Sequence, residues 1–107
     1  MKFIIAIVSD DDCSEVSSSL TKEKFSVTRL ATTGGFLKSG NSTLICGVDD
    51  DKVDDVINII SQHSKKRTQI VPSSGTFDIG RYGSYPIEVQ VGGATIFVID
   101  VEQFIKI

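Results

Sequence analysis

Residues 3–12 read FIIAIVSDDD, an apolar run of strand length followed at once by a serine and three aspartates. β-Branched residues dominate the run, which predicts a β-strand. Ser9 to Asp12 supply the side-chain oxygens and negative charges that are typical of a helix start. The helix is expected to bury a stripe at i, i+3 and i+7, and a half-buried strand with alternating polarity is expected to follow at 25–31. The stripe consists of Cys13, Val16 and Leu20.

A second copy of this unit begins with LICGVDDD at residues 44–51. Its apolar run again predicts a strand, its aspartates again predict a helix cap, and residues 68–71 close the unit as another strand. Two βαβ units in tandem predict an α+β, ferredoxin-like βαββαβ fold, in which one antiparallel sheet carries both helices on one face. The 107 residues are expected to form a single domain, residues 1–107. The second apolar stripe consists of Val53, Val56, Ile57 and Ile60.

The C-terminal third of the chain departs from this repeat. Residues 73–84 are rich in glycine and serine, and they carry too few apolar side chains to offset the entropy of ordering them. Extra strands are expected at 85–91 and 94–99, joined as a C-terminal hairpin by Gly92 and Gly93, and the last residues are expected to form a short helical turn. Two helices cannot cover these apolar strands, so the pattern predicts a symmetric oligomer.

Composition and charge argue against several classes of protein. The formal net charge of −3 and the sequence pI of about 5.0 argue against a protein that binds nucleic acid. No apolar run approaches the roughly 20 residues of a membrane span, and no signal peptide is indicated, so we expect a cytoplasmic protein without membrane contact. A single histidine, His63, and two separated cysteines supply few metal ligands. Because catalytic motifs are absent as well, the chain is not predicted to be an enzyme.

The densest set of candidate binding residues lies at 28–43, which read TRLATTGGFLKSGNST. The stretch imitates a Walker A loop, but asparagine replaces the lysine and a strand follows in place of a helix, so a nucleoside triphosphatase is rejected. The residue types still suit a nucleotide, because paired glycine N–H groups and the hydroxyls of Thr28 and Thr32 can donate to phosphate oxygens. Phe36 offers a stacking face, and the Asn41 amide can read an adenine edge. A polar hairpin loop with Phe36 packed into the core is an equal alternative.

This stretch and YPIEVQVGGATIFV at residues 85–98 together resemble the PII-like cyclic-di-AMP receptor family, the PstA/DarA type. The block ATTGGFL at residues 31–37 is specific to that family, and the resemblance extends over essentially the whole chain. It implies a homotrimer that holds cyclic di-AMP between neighbouring subunits, without a cofactor and without catalysis. We further expect the bound nucleotide to act on an unknown downstream protein through loops at 32–42 and 73–84.

The resemblance also implies which residues contact the ligand. Thr28 would contact the phosphates, and residues 35–37 would line a base pocket. Asn41 and Gly47 would form hydrogen bonds with adenine edges, and Phe97 would pack against a base. Ser26 would face the same cleft as Thr28, and it occupies a position where family members usually carry a basic residue. These residues are Ser26, Thr28, Gly35, Phe36, Leu37, Asn41, Gly47 and Phe97.

A dianionic ligand requires positive charge in a chain that is itself negative. Arg29 directly follows Thr28 in the predicted strand, so its side chain is expected to point to the opposite face of the sheet, away from the cleft. The remaining candidates are Lys38 and the basic cluster at residues 65–67 of an adjacent subunit.

Two other trimeric classes with this fold are alternatives. A PII-type sensor would bind ATP, for which basic residues aimed at a triphosphate are expected. A CutA-like interaction module would bind a metal ion, for which a cluster of ligands is expected. The triple aspartates favour helix capping over metal binding, because their spacing does not match a calcium loop.

Overall fold

The computed structural model describes residues 1–30, 40–72 and 86–107. Within these ranges the chain is α+β, as predicted, with six strands, two α-helices and one short 3₁₀ turn. In chain order these are β1 (Lys2–Ser9), α1 (Asp10–Lys22), β2 (Thr28–Leu30), β3 (Asn41–Val48), the 3₁₀ turn (Asp50–Lys52), α2 (Val53–His63), β4 (Arg67–Pro72), β5 (Pro86–Val91) and β6 (Ala94–Asp100).

Four of the strands form one antiparallel sheet in the order β2-β3-β1-β6. The even-numbered residues from Ile4 to Val8 and from Leu44 to Val48 are buried beneath both helices. The helices therefore share one face of the sheet, and the arrangement is compatible with the predicted ferredoxin-like fold. Both predicted stripes contribute to this core, and five of their residues are at most 2% exposed: Cys13, Val16, Leu20, Val56 and Ile60.

The two groups of aspartates differ in what they bind. At the first, the Ser9 hydroxyl accepts a hydrogen bond from the Asp11 N–H at 3.3 Å, and three carboxylates lie in the first turn of α1. At the second, the aspartates lead into the 3₁₀ turn and no side chain caps α2. The predicted second cap is wrong because Asp50 pairs instead with the N-terminal ammonium of Met1 at 2.9 Å. This pairing lowers the pKa of the Asp50 carboxyl.

The strands β4 and β5 form a separate two-stranded sheet, which we call the ribbon. The prediction that residues 68–71 close the main sheet is wrong, and so is the C-terminal hairpin, because β6 pairs with β1 along its whole length. β6 lies at the edge of the main sheet, and its Ile96 packs against the core. Gly92 and Gly93 have φ of +87° and +83°, and they lead the chain from the ribbon into the sheet.

The predicted helical turn at the C-terminus is also wrong, because residues 101–107 have no regular structure. The Asp100 carboxylate, which could have capped such a turn, accepts a hydrogen bond from Lys2 Nζ. The Val101 N–H donates to the Met1 carbonyl at 3.2 Å, so the chain end extends the pairing of β6 with β1.

A joint of polar contacts attaches the ribbon to the helices. The Arg67 guanidinium donates to the buried carboxylate of Asp12 at 2.8 and 3.3 Å, and it also donates to the Lys65 carbonyl at 3.0 Å. The Asp12 carboxylate raises the pKa of Arg67. Close by, a Cβ atom on Gly92 would collide with the Lys65 carbonyl oxygen and would lie 2.7 Å from Arg67 Nη1. The joint therefore leaves room only for glycine at this position.

Candidate functional site

One face of the main sheet is turned away from both helices. Cross-strand partners point to the same face, so the registers gather the odd-numbered residues of β1, β3 and β6 on this side. Phe97 and Ile99 are 49% and 48% exposed there. We call this surface the open face, and it consists of Phe3, Ile5, Ile7, Thr43, Ile45, Thr95, Phe97 and Ile99.

Thr28 and Phe97 lie in one row across the open face. Thr28 pairs with Ile45 of β3, which pairs with Ile5 of β1. Ile5 in turn pairs with Phe97 of β6. The row crosses all four strands, so the two candidates lie at opposite edges of the sheet, about 14 Å apart at the usual strand spacing. A single chain therefore presents both residues on the same face without bringing them together.

Asn41 and Gly47 lie at opposite ends of β3. Asn41 pairs with Ser9 and Gly47 pairs with Phe3, and the strand between them spans about 20 Å. Gly47 is exposed, and the space where its Cβ would lie is open to 4 Å. A ligand can therefore approach the backbone at Gly47 closely. One base cannot contact both residues of the same chain.

Ser26 lies just before β2 rather than within it. The Phe25 N–H donates to the Leu20 carbonyl at 2.9 Å to end α1, so the chain joins the sheet later than the predicted start at residue 25. Phe25 and Val27 nevertheless pack against the core, whereas Ser26 and Thr28 are exposed. The predicted alternation holds, and the antiparallel register places Ser26 on the Gly47 side of Thr28.

Several candidates fall outside the described residues. They include the proposed base pocket, Gly35, Phe36 and Leu37, together with the loop at residues 73–84. Their roles stay predictions.

Arg29 points to the helix side of the sheet, as strand alternation predicts. Its Nη2 donates to the Ser42 hydroxyl at 3.0 Å and lies 3.9 Å from a carboxylate oxygen of Asp10. The Ser42 hydroxyl donates in turn to the same Asp10 carboxylate. The positive charge of Arg29 is therefore compensated on the face opposite Thr28.

A cleft of about 410 Å³ lies at the Asn41 end of the open face. Lys66, in the connection between α2 and β4, lines this cleft in the same chain as Asn41. From the sequence, the basic cluster at residues 65–67 of an adjacent subunit is a candidate source of positive charge. We call this the Asn41 cleft, and its lining residues are Ile7, Asn41, Lys66, Gly92, Gly93, Ala94 and Thr95.

The cysteines, the histidine and the acidic residues are the groups that could hold a metal ion. In the part of the chain that the structure describes, no three His, Cys, Asp or Glu residues are grouped to hold a metal ion. Cys13 and Cys46 are free and buried, and burial raises the pKa of the Cys46 thiol. His63 ends α2, and its Nδ1 lies 3.1 Å from a Glu15 carboxylate oxygen. Neither described helix has the length and hydropathy needed to span a membrane.

Two comparisons relate the chain to known proteins. A family model described as cyclic-di-AMP receptor matches residues 1–107, which confirms the resemblance found in the sequence. The chain is also similar to a crystal structure of a functionally unknown protein from Pediococcus pentosaceus ATCC 25745. The two chains are 39% identical with a TM-score of 0.77, over 99% of this chain and 96% of that one.

Proposed function

This chain belongs to the cyclic-di-AMP receptor family, and from that premise we propose that it is a non-enzymatic signalling protein that binds cyclic di-AMP. It works as a cytoplasmic homotrimer and holds the ligand between neighbouring subunits. The loops at residues 32–42 and 73–84 pass the signal to a downstream protein. The ligand contacts are the eight residues that the resemblance implies.

The observation that carries this proposal is the position of Thr28 and Phe97 at opposite edges of one exposed row. The Thr28 edge of one subunit meets the Phe97 edge of the next only when subunits associate. A contact between unlike edges closes into a ring under rotational symmetry. The exposed apolar side chains of Phe97 and Ile99 favour such association, because burying them removes apolar surface from water.

A calorimetric titration with three nucleotides tests the proposal. We expect cyclic di-AMP to bind and cyclic di-GMP to bind far more weakly, because guanine presents an O6 acceptor where adenine presents an N6 donor to an asparagine amide. We expect ATP to bind weakly as well, since its triphosphate brings more negative charge to a chain of net charge −3. Equal affinity for all three nucleotides, or tighter binding of ATP, would contradict the proposal.

Light scattering on the titrated sample is the matching control. The expected mass is three times the chain mass of 11.6 kDa. A monomer at every concentration, bound to cyclic di-AMP, would show that the ligand site lies within one chain.

We also expect cyclic di-AMP to slow amide hydrogen exchange across residues 73–84. A ligand can shift a loop only by binding its two states with different affinity, so a loop that transmits the signal must exchange differently once the ligand is bound. The measurement compares free and saturated protein by mass spectrometry. Identical exchange in both samples would leave residues 32–42 as the transmitting loop.

A further inference from the structure

We propose that the Asn41 cleft holds a phosphate group of the ligand and that the Lys66 ammonium supplies the positive charge there. The inference rests on the proposed function, and it assigns a cation to that site that the resemblance does not supply. It places Lys66 and Asn41 of the same chain against one nucleotide.

The lining of the Asn41 cleft suits an anion. Among the described residues that line it, Lys66 is the only ionisable side chain, so this part of the wall carries one positive charge and no carboxylate. An ammonium offers three hydrogen-bond donors, and the Thr95 hydroxyl adds a neutral one. Ile7 and Ala94 supply an apolar wall, on which the ring of a nucleotide can lie.

The backbone on both sides of Lys66 is held in place. On one side, the Ser64 carbonyl accepts a hydrogen bond from the Gly93 N–H, and the Ser64 hydroxyl donates to the Ile60 carbonyl at the end of α2. On the other side, Arg67 is tied to Asp12, whose side chain is only 7% exposed. The backbone of Lys66 is therefore fixed at the rim of the cleft, and only the lysine side chain must become ordered when an anion binds.

Three other cations in the described part of the chain are already paired. Arg29 contacts Ser42 and Asp10, Arg67 contacts Asp12, and Lys2 contacts Asp100. A guanidinium or ammonium that neutralises a carboxylate contributes little potential at a distance. Among the described residues that line the Asn41 cleft, Lys66 is thus the source of positive potential.

Lys65 provides a matched control one residue away. It is exposed like Lys66, but it lines the groove between α2 and β6 on the helix side of the sheet, together with Ile57 and Ile96. Lys66 borders that groove too, and it is the member of the pair that also reaches the Asn41 cleft. The two lysines have the same charge and differ in access to the proposed site.

The test is a calorimetric titration with cyclic di-AMP of the full chain and three variants, Lys66→Gln, Lys65→Gln and Lys66→Arg, at two salt concentrations. We expect Lys66→Gln to weaken binding about tenfold, the effect of losing a charge-assisted hydrogen bond, and to reduce the salt dependence of the affinity. Lys65→Gln should stay within about twofold of the parent chain, and Lys66→Arg should restore most of the affinity. Thermal unfolding of each variant verifies that the exposed substitutions leave the fold intact.

Each outcome decides a separate point. If the parent chain binds and Lys66→Gln binds equally well, Lys66 is not the phosphate cation and the proposed function stands. If Lys65→Gln loses as much affinity as Lys66→Gln, the effect is general electrostatics and the assignment to the cleft is overturned. If the parent chain shows no binding of cyclic di-AMP, the proposed function itself is overturned, together with this assignment.

Discussion

Replacing Asn41 by alanine is expected to weaken cyclic di-AMP binding by about 5- to 150-fold, since one bidentate amide contact to an adenine edge is worth about 1–3 kcal/mol. Asn41 begins β3 and lines the cleft that also contains Lys66, so the substitution removes a neutral polar group from the proposed site. Isothermal titration calorimetry of the parent chain and the variant measures the loss.

Asn58→Ala is the matched control for this substitution. Asn58 is an exposed residue of α2 that borders a groove between the helices and does not line the Asn41 cleft. Its replacement should leave the affinity unchanged. Unaltered binding by both Asn41→Ala and Thr28→Ala would move the site elsewhere.

Gly92→Ala is expected to lower the free energy of unfolding by at least about 2 kcal/mol. Two costs add: alanine is strained at a φ of +87°, and its Cβ collides with the Lys65 carbonyl oxygen and the Arg67 guanidinium. The collision falls on the joint, where Arg67 holds the buried Asp12 carboxylate. Urea unfolding followed by circular dichroism gives the loss as a lower midpoint at constant slope.

The neighbouring glycine separates the two costs. Gly93 has a φ of +83°, but nothing lies within 4 Å of the position of its Cβ. Gly93→Ala should therefore lower the free energy of unfolding by the backbone strain alone, about 1 kcal/mol. An equal decrease in the free energy of unfolding in both variants would mean that the Arg67 and Lys65 contacts shift to accommodate the methyl group at position 92, which would contradict the prediction.

Local periodicity is sufficient to predict the part of the fold that local contacts build. The apolar run at 3–8 becomes β1, the stripe from Cys13 to Leu20 becomes the buried side of α1, and the run at 44–48 becomes part of β3. The alternation around Thr28 also predicts that Arg29 faces away from it, which the contact with Ser42 confirms. In each case the neighbours along the chain decide which side of an element is buried.

Partner choice between strands is a different matter, because it depends on residues far apart in the chain. The pattern predicts strands within β4, β5 and β6, yet it pairs β5 with β6, whereas β5 pairs with β4 and β6 with β1. Two consecutive glycines read as a tight hairpin turn, and the same positive φ values also fit a corner between two sheets. Lys66 lines the Asn41 cleft together with this corner, which the sequence pattern does not predict.

The hydrogen bond from the Gly93 N–H to the Ser64 carbonyl has a consequence for how such a chain can change over generations. Ser64 follows α2 and Gly93 precedes β6, so this hydrogen bond holds together the two points where the chain leaves the βαββαβ unit and returns to it. In topological terms residues 65–92 are an insertion with adjacent ends, and lengthening an insertion of this kind costs little entropy. The root of the insertion must keep Arg67 opposite Asp12, but the rest can acquire new lengths and surfaces while the sheet keeps its register.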